Sequence, residues 1–195
     1  MIAGLVLAAG ESSRMGADKA LLTYRGHTFI ETIVRTVRQA GVTRIAVVLG
    51  HHADEIRRAV DLSDVLVVVN EAYRHGQTSS LQAGLRALDS REGPKLEAMV
   101  FCLVDHPAVS PEVIQTLIAT FRASGSPVVI PTYKGQRGHP VLIGHALFGE
   151  LLALSPAAGA NTVIRKYRDA TQFVEVNDMG ILIDVDDPDA YRSLK

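Results

Sequence analysis

Three groups of residues in this 195-residue chain have the types and spacing to act together on a phosphate-bearing molecule. The first is Leu7-Ala8-Ala9-Gly10-Glu11-Ser12-Ser13-Arg14-Met15-Gly16-Ala17-Asp18-Lys19. Gly10 and Gly16 let backbone N–H groups approach an anion, and Ser12 and Ser13 add hydroxyl donors. Arg14 offers a planar fork for phosphate oxygens, and Lys19 a mobile point charge. The segment lacks both the Gly-Lys-Ser/Thr ending of a P-loop and the glycine spacing G-x-G-x-x-G. The second group is Asp105-His106-Pro107, where a carboxylate follows an apolar run and could bind Mg²⁺ beside substrate phosphates. The third is Asp184-Val185-Asp186-Asp187-Pro188-Asp189. In a strand, Asp184 and Asp186 would face the same way and repel unless a cation sits between them or water screens them.

Each residue also has a plain structural reading. Solvated charges are common in loops, and Asp105 could simply lead into a helix. The joint pattern from Leu7 to Lys19 is what favours a phosphate cradle. Two further segments are weaker alone. Asn70 and Gly76-Gln77-Thr78-Ser79-Ser80 precede a helix, where Ser or Thr is usually a cap. In Arg137-Gly138-His139-Pro140, the glycine and proline have an equally good turn explanation, and a lone histidine is more often a structural hydrogen-bonder.

The elements that must position these residues follow from periodicity. Continuous apolar runs at Ile2–Ala8, Ile45–Leu49, Val65–Val69 and Ala98–Val104 read as buried strands. Between them, Thr28–Ala40, Ala53–Val60 and Ser79–Leu88 read as helices, the first ended by Gly41. Pro111–Phe121 reads as a helix with Ser110 as its N-cap. The second half is less regular. It offers strands at Pro127–Ile130 and Pro140–Ile143 joined by a loop over Thr132–His139, and helices at Ala146–Leu154 and Thr162–Tyr167. Late strands at Phe173–Val176 and Ile181–Val185 and a closing helix at Pro188–Leu194, capped by Asp187, complete it. Strand–helix alternation implies a Rossmann-like α/β fold, with a mostly parallel sheet covered on both faces. Ligands of such sheets bind at the carboxyl ends of the strands, where the candidate residues fall. With no internal repeat and no linker, residues 1–195 are expected to form one domain.

Composition narrows the function classes. Apolar residues are 47% of the chain, ample for a core, and 20 basic against 21 acidic residues give a net charge of −1. That balance argues against general nucleic-acid or membrane-surface binding, which needs a positive field, but allows one small anion held by local cations. The single cysteine, Cys102, lies in an apolar run and reads as a buried core residue. One cysteine, no signal-like start and no bilayer-length apolar stretch point to the cytoplasm.

The first loop resembles the L-A-A-G-x-S-x-R-M-G-x-x-K signature of nucleotidyltransferases related to molybdenum cofactor biosynthesis, with every fixed position present from Leu7 to Lys19. The resemblance implies the nucleotide-diphospho-sugar transferase type of fold and a Mg²⁺-dependent transfer that releases pyrophosphate. It implies nucleotide contacts from Leu7, Ala8, Ala9, Gly10, Ser12, Ser13, Arg14, Lys19, Asn70, Gly76, Ser79 and Ser80. Arg14, Lys19 and Asp105 would be catalytic, Asp105 and Asp186 (favoured over Asp184) the metal ligands, and Gly138-His139-Pro140 the acceptor side. Two positions depart from the pattern. His106 stands where relatives more often carry Gln or Met, and Asn161 where they often carry Arg. The Ala8-Ala9-Gly10 form resembles cytidylyl-transferring members, guanylyl-transferring ones more often showing L-A-G-G. CTP would then be the donor and molybdopterin the acceptor, with a molybdoenzyme or its chaperone as a protein partner. The runners-up are guanylyl transfer from GTP, cytidylyl transfer to a sugar or alcohol phosphate, and a non-catalytic nucleotide-binding module. A degenerate binder could lose Arg14, Lys19 or Asp105, and this chain keeps all three.

Overall fold

The apolar runs pair into a sheet because they can bury both faces at once. In the computed structural model, which describes residues 1–89 and 95–194, Ile2–Ala8 (β1) is buried along its whole length. It pairs in parallel with Arg44–Leu49 (β4) on one side and Ala98–Leu103 (β6) on the other. Thr23–Tyr24 (β2) and His27–Thr28 (β3) form a separate small ribbon. The main sheet runs from Leu66–Val69 (β5) through β4, β1 and β6 to Val141–Gly144 (β9), then Val128–Tyr133 (β7) and Thr171–Glu175 (β10). β9 is antiparallel to both of its neighbours, and the other strands on this path share one direction.

The alternation of side chains along the strands divides the core in two. Val6, Val47, Val100 and Cys102 face helices Phe29–Gln39 (α1) and Pro111–Ser124 (α4). Leu5, Leu7, Val48, Met99 and Phe101 face Gln77–Leu88 (α3), Phe148–Leu152 (α5) and Asn161–Lys166 (α6). Helix α1 begins with a full capping box. Thr28 accepts from the Glu31 N–H, and the Glu31 carboxylate accepts from the Thr28 N–H at 2.7 Å. Gly41, at φ 89°, ends it as expected. Gly84 lets α3 lie close on the sheet, because a Cβ there would sit 2.3 Å from Leu5 Cδ1 and 2.6 Å from Val48 Cγ2. Gly84→Ala is therefore expected to cost about 1–3 kcal/mol by overpacking, read as a lower urea midpoint at unchanged slope.

Four expectations need correction. Thr132–His139 is not a plain loop: β7 continues to Tyr133 and turns through Lys134 (φ 50°) and Gly135 (φ 77°) into Gln136–Arg137 (β8). Two successive positive φ values suit the twist of a two-residue hairpin. Ala146–Leu154 is a 3₁₀ turn at His145–Leu147 followed by α5, not one helix. Ser110 stands at the N-cap of α4, but its side chain makes no capping bond. Finally, Ile181–Val185 is not a strand. Met179–Leu182 is a 3₁₀ turn, and the segment bonds two different loops instead of one ladder. The Ile181 carbonyl accepts from the His139 N–H at 3.0 Å, and the Val185 N–H donates to the Asp105 carbonyl at 2.9 Å. Beyond it, Ala53–Ala59 (α2) and Pro188–Leu194 (α7) complete the helices, and Asp187 caps α7 as expected, accepting from the Ala190 N–H at 2.8 Å.

Candidate active site

The loop after β1 wraps over the carboxyl ends of β1 and β6 and borders a cleft of about 300 Å³. Leu7, Ala8, Ala9, Gly10, Ser12, Ser13, Arg14 and Lys19 line it, together with Gly76, Ser80, Asp105 and Asp186. The loop holds its shape locally. Ser12 takes a left-handed backbone (φ 50°), its carbonyl accepts from the Met15 N–H, and its Oγ accepts from the Lys19 N–H at 3.0 Å. Asp18 then caps a 3₁₀ turn over Lys19–Leu21 and fixes the direction in which Lys19 leaves the loop.

Lys19 is the electrostatic centre of the cleft. Its Nζ lies 3.2 Å from Asp105 Oδ2 and hydrogen-bonds Asp186 Oδ1. Arg14 grips the other oxygen of Asp186 at 2.7 Å. The Lys19 side chain is 13% exposed and that of Arg14 71%, so Lys19 works at the floor and Arg14 at the rim. Burial acts to lower the Lys19 pKa, but the hydrogen bond to Asp186 and the charge of Asp105 outweigh it and hold the ammonium above its ordinary value. The same hydrogen bond from Lys19 holds the Asp186 carboxyl below the usual range.

Asp184 and Asp186 meet the same charged cluster with different nearest partners. Asp186 is taken by two cations, whereas a carboxylate oxygen of Asp184 falls within 4.8 Å of ligand atoms of Asp105 and His106. Burial, with the nearby Asp105 charge, raises the Asp184 pKa. Asp105 Oδ1 is buried and makes no hydrogen bond among the described residues. An orphaned carboxylate oxygen beside a second acid is a donor set that fits a divalent cation. Asp184, set behind Asp186 in the sequence reading, is thus the aspartate that shares this space with Asp105.

The remaining expected residues act one layer back. Asn70 is 7% exposed, and its Nδ2 donates to Ser79 Oγ at 2.9 Å and Ser80 Oγ at 3.0 Å. Asn70 and Ser79 brace the start of α3, and Ser80 reaches the cleft. None of Gly138, His139 and Pro140 lines it. A Cβ on Gly138 would sit 2.3 Å from the Ile181 carbonyl oxygen, so this segment clasps the chain that carries Asp184 and Asp186. The His139 ring lies 5.0 Å from that of His106, tilted at 44°, and burial pushes its pKa down to about 4. Cys102 is buried and its thiol is pushed up to about 12 by burial, which leaves it chemically inert. Asn161 opens α6.

Five cleft residues were not singled out as site residues from the sequence: Asp18, Tyr73, Gln77, Leu103 and Val104. Tyr73 gave one signal, an aromatic residue in a loop after a strand. Gly50 makes room for it, since a Cβ there would be 2.7 Å from both Tyr73 Cβ and the Ala9 carbonyl oxygen. Among the described residues, no helix is long and apolar enough to cross a membrane.

This geometry can be set beside known proteins. Rv0371c from Mycobacterium tuberculosis H37Rv shares 33% identity and superposes with a TM-score of 0.87 over 99% of this chain and 96% of that one. Its manganese complex superposes at 0.78 with 31% identity over 99% and 97%. Among curated relatives, nicotine blue oxidoreductase of Paenarthrobacter nicotinovorans is 30% identical over 95% of this chain and 92% of its own. Molybdenum cofactor cytidylyltransferase of Escherichia coli K12 is 22% identical over 98% and 94%. Residues 4–171, which carry the cradle, Lys19 and Asp105, match the MobA-like NTP transferase domain. The chain belongs to that family of nucleotidyltransferases.

Proposed function

We propose that this protein transfers a nucleotidyl group, CMP from CTP, to the terminal phosphate of an acceptor, with molybdopterin as the acceptor of first choice. One observation carries the reading. A buried Lys19 and an exposed Arg14 converge on Asp105 and Asp186 in a cleft walled by a glycine-bearing loop at the carboxyl ends of parallel strands. In the reaction, an acceptor phosphate oxygen bonds to the α-phosphorus as the bond to the bridging oxygen of the β-phosphate breaks, and pyrophosphate leaves. The loop N–H groups and the Ser12 and Ser13 segment seat the triphosphate in line with the acceptor. Lys19 meets the charge that develops at the α-phosphorus, and Arg14 holds the departing phosphates. Asp105 and Asp184, with Asp186 alongside, are the residues to hold a divalent ion, Mg²⁺ or Mn²⁺; such an ion supplies Lewis-acid polarisation of the phosphate. The manganese complex of the mycobacterial relative supports divalent binding in this fold. A protein nucleophile is unnecessary because the acceptor is already anionic. The single cysteine, Cys102, allows no intramolecular disulfide, which fits a reducing, cytoplasmic setting for this chemistry.

The preference for CTP over GTP is supported by Ala9, which lines the cleft and stands where guanylyl-transferring members more often carry Gly, so that its side chain would crowd a purine. Steric discrimination of this size is worth about 1–3 kcal/mol. The test is pyrophosphate release with each triphosphate, Mg²⁺ and candidate acceptors. A kcat/KM for CTP some tenfold or more above that for GTP is expected; a GTP preference would instead assign guanylyl transfer. A second reading draws on the 30% identity to nicotine blue oxidoreductase, a protein named for redox chemistry. Incubation with NADH or NADPH and an electron-accepting dye separates the two: dinucleotide oxidation without pyrophosphate release would replace the transferase reading.

A further inference from the structure

Below Lys19, two chain segments bring three unlike side chains into one small volume. Ligand atoms of Asp105, His106 and Asp184 all lie within 4.8 Å of one another. The two oxygens of Asp105 are divided: Oδ2 faces Lys19 at 3.2 Å, whereas Oδ1 is buried, makes no hydrogen bond among the described residues, and lies 3.9 Å from His106 Nε2. That separation is too long for a hydrogen bond. It does suit two ligands of one ion, because with bonds of about 2.1 Å adjacent ligands sit about 3.0 Å apart and opposite ones about 4.2 Å. His106 itself is 8% exposed. Its ring lies 5.0 Å from that of His139, and both border an apolar crevice lined by Cys102, Val109 and Ile114. In its neutral form an imidazole offers one nitrogen lone pair to an ion.

We propose that His106 supplies a nitrogen ligand, through Nε2, to the divalent ion held by Asp105 and Asp184, and that this makes the site select Mn²⁺ over Mg²⁺. The inference rests on the metal-dependent reading given above and adds a ligand and a preference to it. Magnesium takes oxygen ligands and water in strict octahedral geometry and gains little from an imidazole. Transition ions accept imidazole beside carboxylates. Since Lys19 occupies only Oδ2 of Asp105, the ammonium and the ion can be present together, one on each carboxylate oxygen.

The experiment is pulsed electron paramagnetic resonance of Mn²⁺ bound to the full chain, prepared with natural nitrogen and with ¹⁵N-labelled histidine. The expected result is echo modulation from a directly bound ¹⁴N that changes to the ¹⁵N pattern on labelling and disappears in His106→Gln. That variant should bind Mn²⁺ at least about tenfold more weakly, the loss that removal of even an outer-shell partner causes, with Mg²⁺ affinity little changed. Bound Mn²⁺ without a histidine nitrogen overturns the inference and leaves the metal reading intact. Failure to bind Mn²⁺ at all removes both. Should His106→Gln not fold by circular dichroism, the wild-type isotope pair still decides whether a histidine is bound. His139→Gln then tests the nearest alternative imidazole: loss of the modulation in that variant would overturn the assignment to His106.

Discussion

Lys19→Ala should lower kcat by about two orders of magnitude, the loss typical of one donor aimed at developing charge. The ammonium is buried, and the Ser12 side chain and the Asp18-capped turn fix its backbone. It meets the reacting centre without first paying for its own ordering. Arg14 differs in each respect: its side chain is 71% exposed and its partner is the outer oxygen of Asp186. A group that grips substrate and transition state equally changes KM, and one that meets charge only in the transition state changes kcat. Arg14→Ala should therefore show the larger proportional rise in KM for the triphosphate. Steady-state kinetics on both variants, with circular dichroism to confirm folding, measures this. Full kcat in Lys19→Ala with loss in Arg14→Ala would reverse the division of labour. No effect from either would remove the loop from catalysis.

Asp105→Asn should be as damaging, with a loss of at least about 100-fold in turnover at fixed Mg²⁺, equivalent to roughly 3 kcal/mol of lost charge stabilisation. The change keeps the side-chain shape and removes the charge that both Lys19 and the neighbouring Asp184–His106 group face. The fold should survive, because the tie from Asp105 to the C-terminal segment is its backbone carbonyl, bonded to the Val185 N–H at 2.9 Å. Titration of activity against Mg²⁺ and Mn²⁺ gives a second readout, a requirement for more metal at half-maximal rate. A folded Asp105→Asn protein with near-wild-type turnover would take Asp105 out of the mechanism.

The parts that could be read from the sequence are those where local chemistry and global packing agree. The runs of β1, β4 and β6 are apolar at nearly every position, because both sheet faces are covered, and a strand buried on both faces satisfies that pattern. The cradle was legible because its glycine, serine and cationic residues are adjacent in the chain, and nearly all of them border the cleft. The C-terminal acids were harder. The mostly apolar run Ile181–Val185 reads as a strand, yet the segment takes its shape from Gly138, His139 and Asp105, residues no local pattern connects to it. Their two side chains take different nearest partners, Lys19 for Asp186 and the Asp105–His106 pair for Asp184. The reversed strand β9 is likewise a tertiary fact: Val141–Gly144 is as apolar as a parallel strand, and nothing in its residues declares direction. Tyr73 escaped notice because its place depends on Gly50 in another loop.

The clasp of Gly138 and His139 on Ile181 also fixes when the protein can first work. The bonds that close the cleft join residues 86, 167 and 172 positions apart. Closing such long loops costs entropy that no local contact repays in advance, whereas β1, α1 and β4 can assemble from near neighbours. Asp186 follows Lys19 by 167 residues, so a chain emerging from the ribosome can form its central strands before this acid has left the exit tunnel. Such a chain would own the cationic loop without its carboxylate counterparts. Its attraction for free triphosphate would be unmatched by any means of turning it over, and competence would arrive only when the segment carrying Asp184 and Asp186 docks.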